Sequence, residues 1–240
     1  MKCGVLGPST NTIVQPEFEA MRPRGVTNHY SRILAPNTNA VSDASFMAGA
    51  AKIAAGVIDA IESVMTCSPN YLVMGMSAVT FFGGIVGAES FRKKVEAAAG
   101  MGVSTGSESL AAALRAYSGV SSVSFLSPYF LVANLEVRRF FTDSGFEVKE
   151  DICLQCPSWT AIAEVPSDVL RVKAAELAAS DADAIVQVGT NLCMAALAPH
   201  LETALGRPVI PINTATYWHA LRSQGIDDKI AGFGRLLQDC

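Results

Sequence analysis

Charge is scarce in this 240-residue chain. Lys and Arg number 18 and Asp and Glu 22, together 17% of the residues, for a formal net charge of -4 at pH 7. No cluster of Lys or Arg stands anywhere along it, which argues against a nucleic-acid partner, because phosphate binding needs a concentrated basic patch. Histidine is rarer still, with only His29, His200 and His219. Dinucleotide fingerprints and P-loops are missing. The one CxxC, Cys153 with Cys156, lacks two further ligands at workable spacing, so the expectation is no cofactor and no metal. No apolar run reaches the roughly 18 to 20 residues that cross a bilayer, and no basic segment followed by a long apolar one opens the chain. A cytoplasmic protein without a membrane partner is therefore expected. The remaining cysteines, Cys3, Cys67, Cys193 and Cys240, are scattered, and reduced thiols are the default in a chain long enough to build its own core.

Half of the residues are hydrophobic, far from the composition of a disordered chain. The length suits one large domain or two lobes of roughly 100 to 120 residues. Short apolar runs alternate with alanine-rich helical stretches, the pattern of an α/β fold with mostly parallel sheets. Strands are expected at Cys3–Leu6, Tyr71–Met74, Val123–Leu126, Ala184–Val188 and Pro208–Ile212. Helices are expected at Ala44–Met65, Glu89–Ala99, Ser107–Tyr117, Ala133–Ser144, Ser167–Ala179 and Met194–Leu205. Each strand is followed by Gly, Pro, Ser, Thr or Asn, residues that turn the chain and cap the next helix.

A weak internal echo runs through these turns. Leu6-Gly7-Pro8-Ser9 returns near Leu126-Ser127-Pro128-Tyr129, and Val73-Met74-Gly75-Met76-Ser77 resembles Gln187-Val188-Gly189-Thr190-Asn191, at separations of 120 and 114 residues. Duplication of a half-length unit explains it, as does chance similarity among turns rich in small residues. All four turns stand at the carboxyl ends of expected strands, where open α/β sheets place their ligand crevice. Backbone N–H groups and helix N-termini there hold an anion such as a carboxylate without arginines. Ser9 and Asn11 offer a hydroxyl and an amide, Tyr129 a phenol, and Gly75, Met76, Ser77, Gly189, Thr190 and Asn191 small side chains or close backbone approach. Helix capping alone accounts for any one of them taken singly.

These four turns, in this order and spacing, resemble the active-site loops of the aspartate/glutamate racemase superfamily, and most closely its maleate isomerase and arylmalonate decarboxylase branch. The resemblance extends to Pro208-Val209-Ile210-Pro211-Ile212-Asn213, to Ala215–Leu221 and to the Gly232-Phe233-Gly234-Arg235-Leu236-Leu237 tail, and so covers nearly the whole chain. It implies two pseudo-symmetric Rossmann-like lobes, here residues 1–104 with 214–240 and residues 105–213, and an active site between them that needs no cofactor. Asn11 matches a residue that binds a substrate carboxylate, Tyr129 an active-site tyrosine, and Ser77 a hydroxyl of the pocket that stabilises an enediolate-like intermediate. Preorganised neutral donors aimed at a developing oxyanion supply such stabilisation.

The match breaks where relatives carry thiols, because those positions are Gly75 and Gly189. Cys193, four residues on, is the candidate replacement, and a small buried residue is its plain alternative. His219 is a candidate acid/base, with a capping or core histidine as the other reading. Trp159 and Thr160 open a segment, ending at Glu164, that by the resemblance closes over substrate, and an indole there favours a larger or less polar ligand than maleate. The expected function is catalysis α to a carboxylate of a small carboxylic acid. The alternatives are a lyase or hydrolase acting on an amino-acid-derived substrate without catalytic thiols, and a non-catalytic carboxylate binder. The resemblance also implies a homo-oligomer.

Overall fold

The computed structural model describes residues 1–240. The apolar runs form two four-stranded, all-parallel sheets. The first holds β1 (Lys2–Pro8), β2 (Thr27–Ile33), β3 (Tyr71–Met74) and β4 (Val103–Ser104) in the order β2-β1-β3-β4. The second holds β5 (Ser122–Ser127), β6 (Glu147–Cys153), β7 (Ala184–Gln187) and β8 (Val209–Pro211) in the order β6-β5-β7-β8. The second order is the first shifted by four strands, so the echo between the turns coincides with a repeated topology.

Strands β1, β3, β5 and β7 occupy the centre of their sheets and are almost wholly buried. Strands covered by helices on both faces read as continuous apolar runs, which is why these four stand out in the sequence. The edge strands β2 and β6 do not stand out in the sequence, for the converse reason. They carry Asn28, His29 and Arg32, and Glu147, Lys149, Glu150 and Asp151, with much of each strand half-buried or exposed.

Ten helices cover the sheets: α1 (Val14–Ala20), α2 (Asp43–Ala55), α3 (Val57–Met65), α4 (Gly84–Ala99), α5 (Gly106–Ala116), α6 (Leu131–Asp143), α7 (Ser167–Ala178), α8 (Ala198–Leu205), α9 (Ile212–Ser223) and α10 (Arg235–Asp239). The single helix expected over Ala44–Met65 is broken at Gly56, where a Cβ would stand 3.2 Å from Ile33 Cγ2. Asp43–Met65 is nonetheless long and apolar enough to cross a membrane by length and composition, contrary to the expectation of no such run. Phe46, Ile53, Val57, Ile61 and Val64 explain that composition, since they are buried inside the protein. The helix expected from Met194 starts later, as a 3-10 turn at Ala195–Leu197 followed by α8. The last strand ends at Pro211, and Ile212 already begins α9. Helix α9 then packs on β3 and β4 of the first sheet, and one continuous core of 64 buried residues runs through both lobes.

Candidate active site

Each sheet reverses its winding between its two central strands, and the crevice of such a sheet opens at the carboxyl ends of those strands. The turns after β1, β3, β5 and β7 leave from there, and the packing of the lobes brings them face to face. Tyr129 Oη lies 2.6 Å from Ser77 Oγ, Thr190 N–H donates to the same Ser77 Oγ at 3.1 Å, and Thr190 Oγ1 donates to Gly75 O at 3.2 Å. Asn11 Nδ2 donates to Thr190 Oγ1 at 3.1 Å, while its Oδ1 accepts the N–H groups of Ile13 and Val14 at 3.0 and 2.9 Å. Asn11 thus closes the turn that leads into α1 with its oxygen, and those bonds fix which way its amide nitrogen points.

Counting protons gives what this arrangement offers to a ligand. Ser77 and Tyr129 share two hydroxyl protons and use one between them. Asn11 uses one of its two amide protons on Thr190. The backbone N–H of Asn191 has no protein acceptor. Neutral donors are therefore left over, set on four turns around one pocket. Desolvation pushes the Tyr129 phenol above its ordinary pKa, with the Ser77 bond pulling the other way, so Tyr129 is a neutral hydrogen-bond donor.

Apart from Thr10 the rest of the pocket is apolar, walled by Ala50, Ile53, Ala78, Val79, Trp159 and Ile162, and no charged side chain, thiol or imidazole lines it. Trp159 packs against Phe46 with ring centroids 5.1 Å apart and the rings tilted by 49°, and so close to α2 that a Cβ on Gly49 would come within 2.7 Å of its Cζ2. Its buried indole N–H has no partner.

Of the residues expected at the site, Asn11, Met76, Ser77, Tyr129, Trp159, Gly189, Thr190 and Asn191 line the pocket. Others do not. Ser9 is exposed and pairs with the Ala35 backbone, accepting its N–H at 2.9 Å. Thr160 bonds Asn37 across the lobes at 2.9 Å, and Glu164 ends its 3-10 turn exposed. Gly75 contributes only its carbonyl. His219 stands inside α9 rather than at a helix start, its Nδ1 2.7 Å from Ser104 Oγ, and burial lowers its pKa. Cys193 is an exposed residue whose thiol is partly desolvated beside Glu17, and that desolvation and the carboxylate both raise its pKa. Both side chains are turned by packing that a linear reading does not contain.

The two glycines at the thiol positions are built into the backbone. A Cβ on Gly75 would meet Val14 Cγ1 at 2.8 Å and Leu6 O at 3.2 Å. Gly189 has φ +103°, and a Cβ there would enter the Pro128 ring, 2.5 Å from Cγ.

Two charged or polar residues beneath the site are silent in the sequence. Glu17 and Asn213 are buried beneath the Gly189–Ala195 loop. A glutamate in a short helix and an asparagine after a strand carry no local signal, so nothing short of the fold could have singled them out.

Fold and pocket define a two-lobed α/β protein with a neutral, donor-rich crevice between pseudo-symmetric sheets. Residues 38–237 match the arylmalonate decarboxylase family model. The maleate isomerase of Nocardia farcinica (strain IFM 10152) is 24% identical over 99% of this chain and 95% of its own length. A mutant of N. farcinica maleate cis-trans isomerase carrying a covalently bound succinylcysteine intermediate superposes with a TM-score of 0.89 at 22% identity, covering 100% of this chain and 98% of that one. A liganded double mutant of arylmalonate decarboxylase gives 0.85 at 20% identity, over 98% of this chain and 97% of that one. The chain belongs to the arylmalonate decarboxylase family, and it is an enzyme of the isomerase and decarboxylase kind found in this racemase-like superfamily.

Proposed function

We propose that this enzyme acts without a cofactor on a bond α to the carboxylate of a small carboxylic acid, through an enediolate-like state, and that its reaction is decarboxylation of a malonate bearing an apolar substituent. One observation carries the reading. The pocket holds neutral donors from Asn11, Ser77, Tyr129 and the Asn191 backbone N–H opposite an apolar wall, and no thiol, imidazole or charge between them.

Cis-trans isomerisation through a covalent adduct needs a nucleophile, and two-base racemisation needs an acid or base on each face of the α-carbon. The lining supplies neither. Decarboxylation asks less of the protein. The bond to the departing carboxylate breaks, its electron pair spreads into the retained carboxylate as an enediolate, and CO2 leaves. The donors stabilise the growing oxyanion charge, and the apolar wall disfavours the charged leaving group relative to neutral CO2. The α-carbon then takes its proton from water, and the hydroxide left behind departs with CO2 as bicarbonate. Tyr129 is not the proton source, because its burial makes the phenolate costly.

The proposal keeps the lobe division at residues 104/105 and 213/214, the cytoplasmic location and the homo-oligomer expected from the sequence. Exposed Ile85 and Val86 on α4 and Leu131 and Leu135 on the neighbouring α6 support self-association.

The test is incubation in deuterated water with phenylmalonate, maleate and L-aspartate in parallel. The expected outcome is bicarbonate and phenylacetate carrying one solvent deuterium at the α-carbon, with no fumarate and no D-aspartate. Fumarate from maleate, or α-deuterium in aspartate lost on Cys193→Ser, overturns the reading and assigns a catalytic thiol.

A further inference from the structure

Glu17 takes no part in the pocket, yet it is a buried carboxylate held by three hydrogen bonds and no cation. It comes from α1 of the first lobe and reaches under the Gly189–Ala195 loop of the second. Its Oε1 accepts the N–H groups of Met194 and Ala195 at 3.1 and 2.9 Å, and its Oε2 accepts Asn213 Nδ2 at 2.6 Å. The same Asn213 Nδ2 donates to Thr190 O at 2.9 Å. Two amide protons of one side chain thus join a carboxylate of the first lobe to the peptide that supplies the second lobe's donors. The far end of the Thr190–Asn191 peptide is the Asn191 N–H, which has no protein acceptor. A planar trans peptide fixes the direction of its N–H once its C=O is held.

Asn213 Oδ1, by contrast, is buried without any hydrogen-bond partner. An orphaned buried acceptor calls for a physical account, and Glu17 supplies one. An ionised Glu17 accepts only, so Asn213 must present its NH2 and leave Oδ1 unpaired. A Glu17 protonated on Oε2 would meet that NH2 donor against donor. The relief is rotation of the Asn213 amide, which gives Oδ1 the Glu17 proton and withdraws Nδ2 from Thr190 O.

We propose that Glu17 is a positioning residue for the second-lobe donor loop, and that its protonation, transmitted by rotation of the Asn213 amide, releases the Thr190–Asn191 peptide from its carboxylate-binding orientation. This rests on the carboxylate-binding reading given above. The groups facing Glu17 are few: Met194 and Ala195 N–H and the Cys193 thiol from the loop, and Asn213 from α9, with no cation among them. Glu19, the nearest acid on its own helix, is turned to Arg22 and Asn28, and Tyr217 of α9 gives its hydroxyl to Asn28. Burial without a counter-charge pushes the Glu17 carboxyl up to about 7, which sets the release near neutrality.

Two measurements test this on the intact protein. The first is binding of phenylacetate, the carboxylate that the proposed reaction leaves, by calorimetry between pH 6 and pH 8, for the wild type, Glu17→Gln and Asn11→Ala. The second is backbone amide exchange in residues 190–195 over the same range without ligand, corrected for intrinsic rates. A binding-competent fraction that titrates near 7 raises the apparent Kd about tenfold from pH 8 to pH 6, and loop protection falls by a similar factor. Glu17→Gln keeps the shape and an acceptor for the loop N–H groups but sets its own NH2 against Asn213. It should bind weakly and show weak loop protection at both pH values, while melting within a few degrees of the wild type. Wild-type affinity and pH dependence in Glu17→Gln, with Asn11→Ala defective, overturn the positioning role and leave the site reading intact. No phenylacetate binding and no phenylmalonate turnover by the wild type, with pH-dependent loop protection retained, overturns the site reading and supports the clamp. If Glu17→Gln does not fold, the wild-type exchange series decides alone: protection that is flat from pH 6 to pH 8 refutes the release.

Discussion

Gly189→Ala tests whether the second thiol position could ever hold a side chain in this fold. Gly189 sits at φ +103°, where an L-residue is strained, and its added Cβ would enter the Pro128 ring. A residue held in a sparsely populated backbone region costs of order 1–3 kcal/mol, and overpacking against a fixed ring adds about 1–3 kcal/mol. Stiffening the unfolded chain returns roughly 0.4–1 kcal/mol. The net expectation is a loss of about 3 kcal/mol. Gly206→Ala separates the two contributions, because Gly206 has φ +66° at a helix end with nothing within 4 Å of its Cβ position. Only the backbone cost remains there, about 1 kcal/mol. Urea unfolding followed by far-UV circular dichroism measures both variants, provided the m-value is unchanged. If Gly189→Ala loses no more than Gly206→Ala, the Pro128 contact yields freely. A cysteine could then be housed at position 189, and the argument that this pocket excludes a family thiol there fails.

Asn11→Ala should weaken phenylacetate binding by at least tenfold and also cost about 1 kcal/mol of stability through the two lost turn hydrogen bonds; unchanged binding in a folded variant would confine Asn11 to holding the turn. Tyr129→Phe removes one of two shared hydroxyl protons and should lower kcat more than it raises KM, whereas an unchanged kcat would restrict the phenol to packing. Glu17 makes a signed pH prediction. Its folded pKa of about 7 stands above the ordinary 4.5, so between those values the native state binds more protons than the unfolded one, and stability falls as pH rises. From pH 5 to pH 8 this amounts to about 2.5 kcal/mol, absent in Glu17→Gln, and parallel stability curves for the two proteins would refute it.

The sequence by itself determined the α/β class, the central strands and the four turns of the pocket. These signals are local: an apolar run buried on both faces, then Pro-Ser-Thr-Asn, Gly-Met-Ser, Ser-Pro-Tyr or Gly-Thr-Asn at its end. The absence of thiols at Gly75 and Gly189 was equally legible, and the backbone agrees with it, since neither position has free room for a Cβ. Tertiary structure alone decided the rest. The edge strands β2 and β6 look polar because one side of each meets solvent, so their burial depends on a neighbour found elsewhere in the chain. His219 and Cys193 carry reactive groups at plausible distances along the sequence, yet helix phase turns one to Ser104 and loop packing turns the other to Glu17, both outside the pocket lining. Glu17 and Asn213 stand 196 residues apart and meet at 2.6 Å. Their pairing comes from the docking of α1 and α9 beneath a loop of the opposite lobe, and a hydrogen bond of that kind has no signature until the chain has folded.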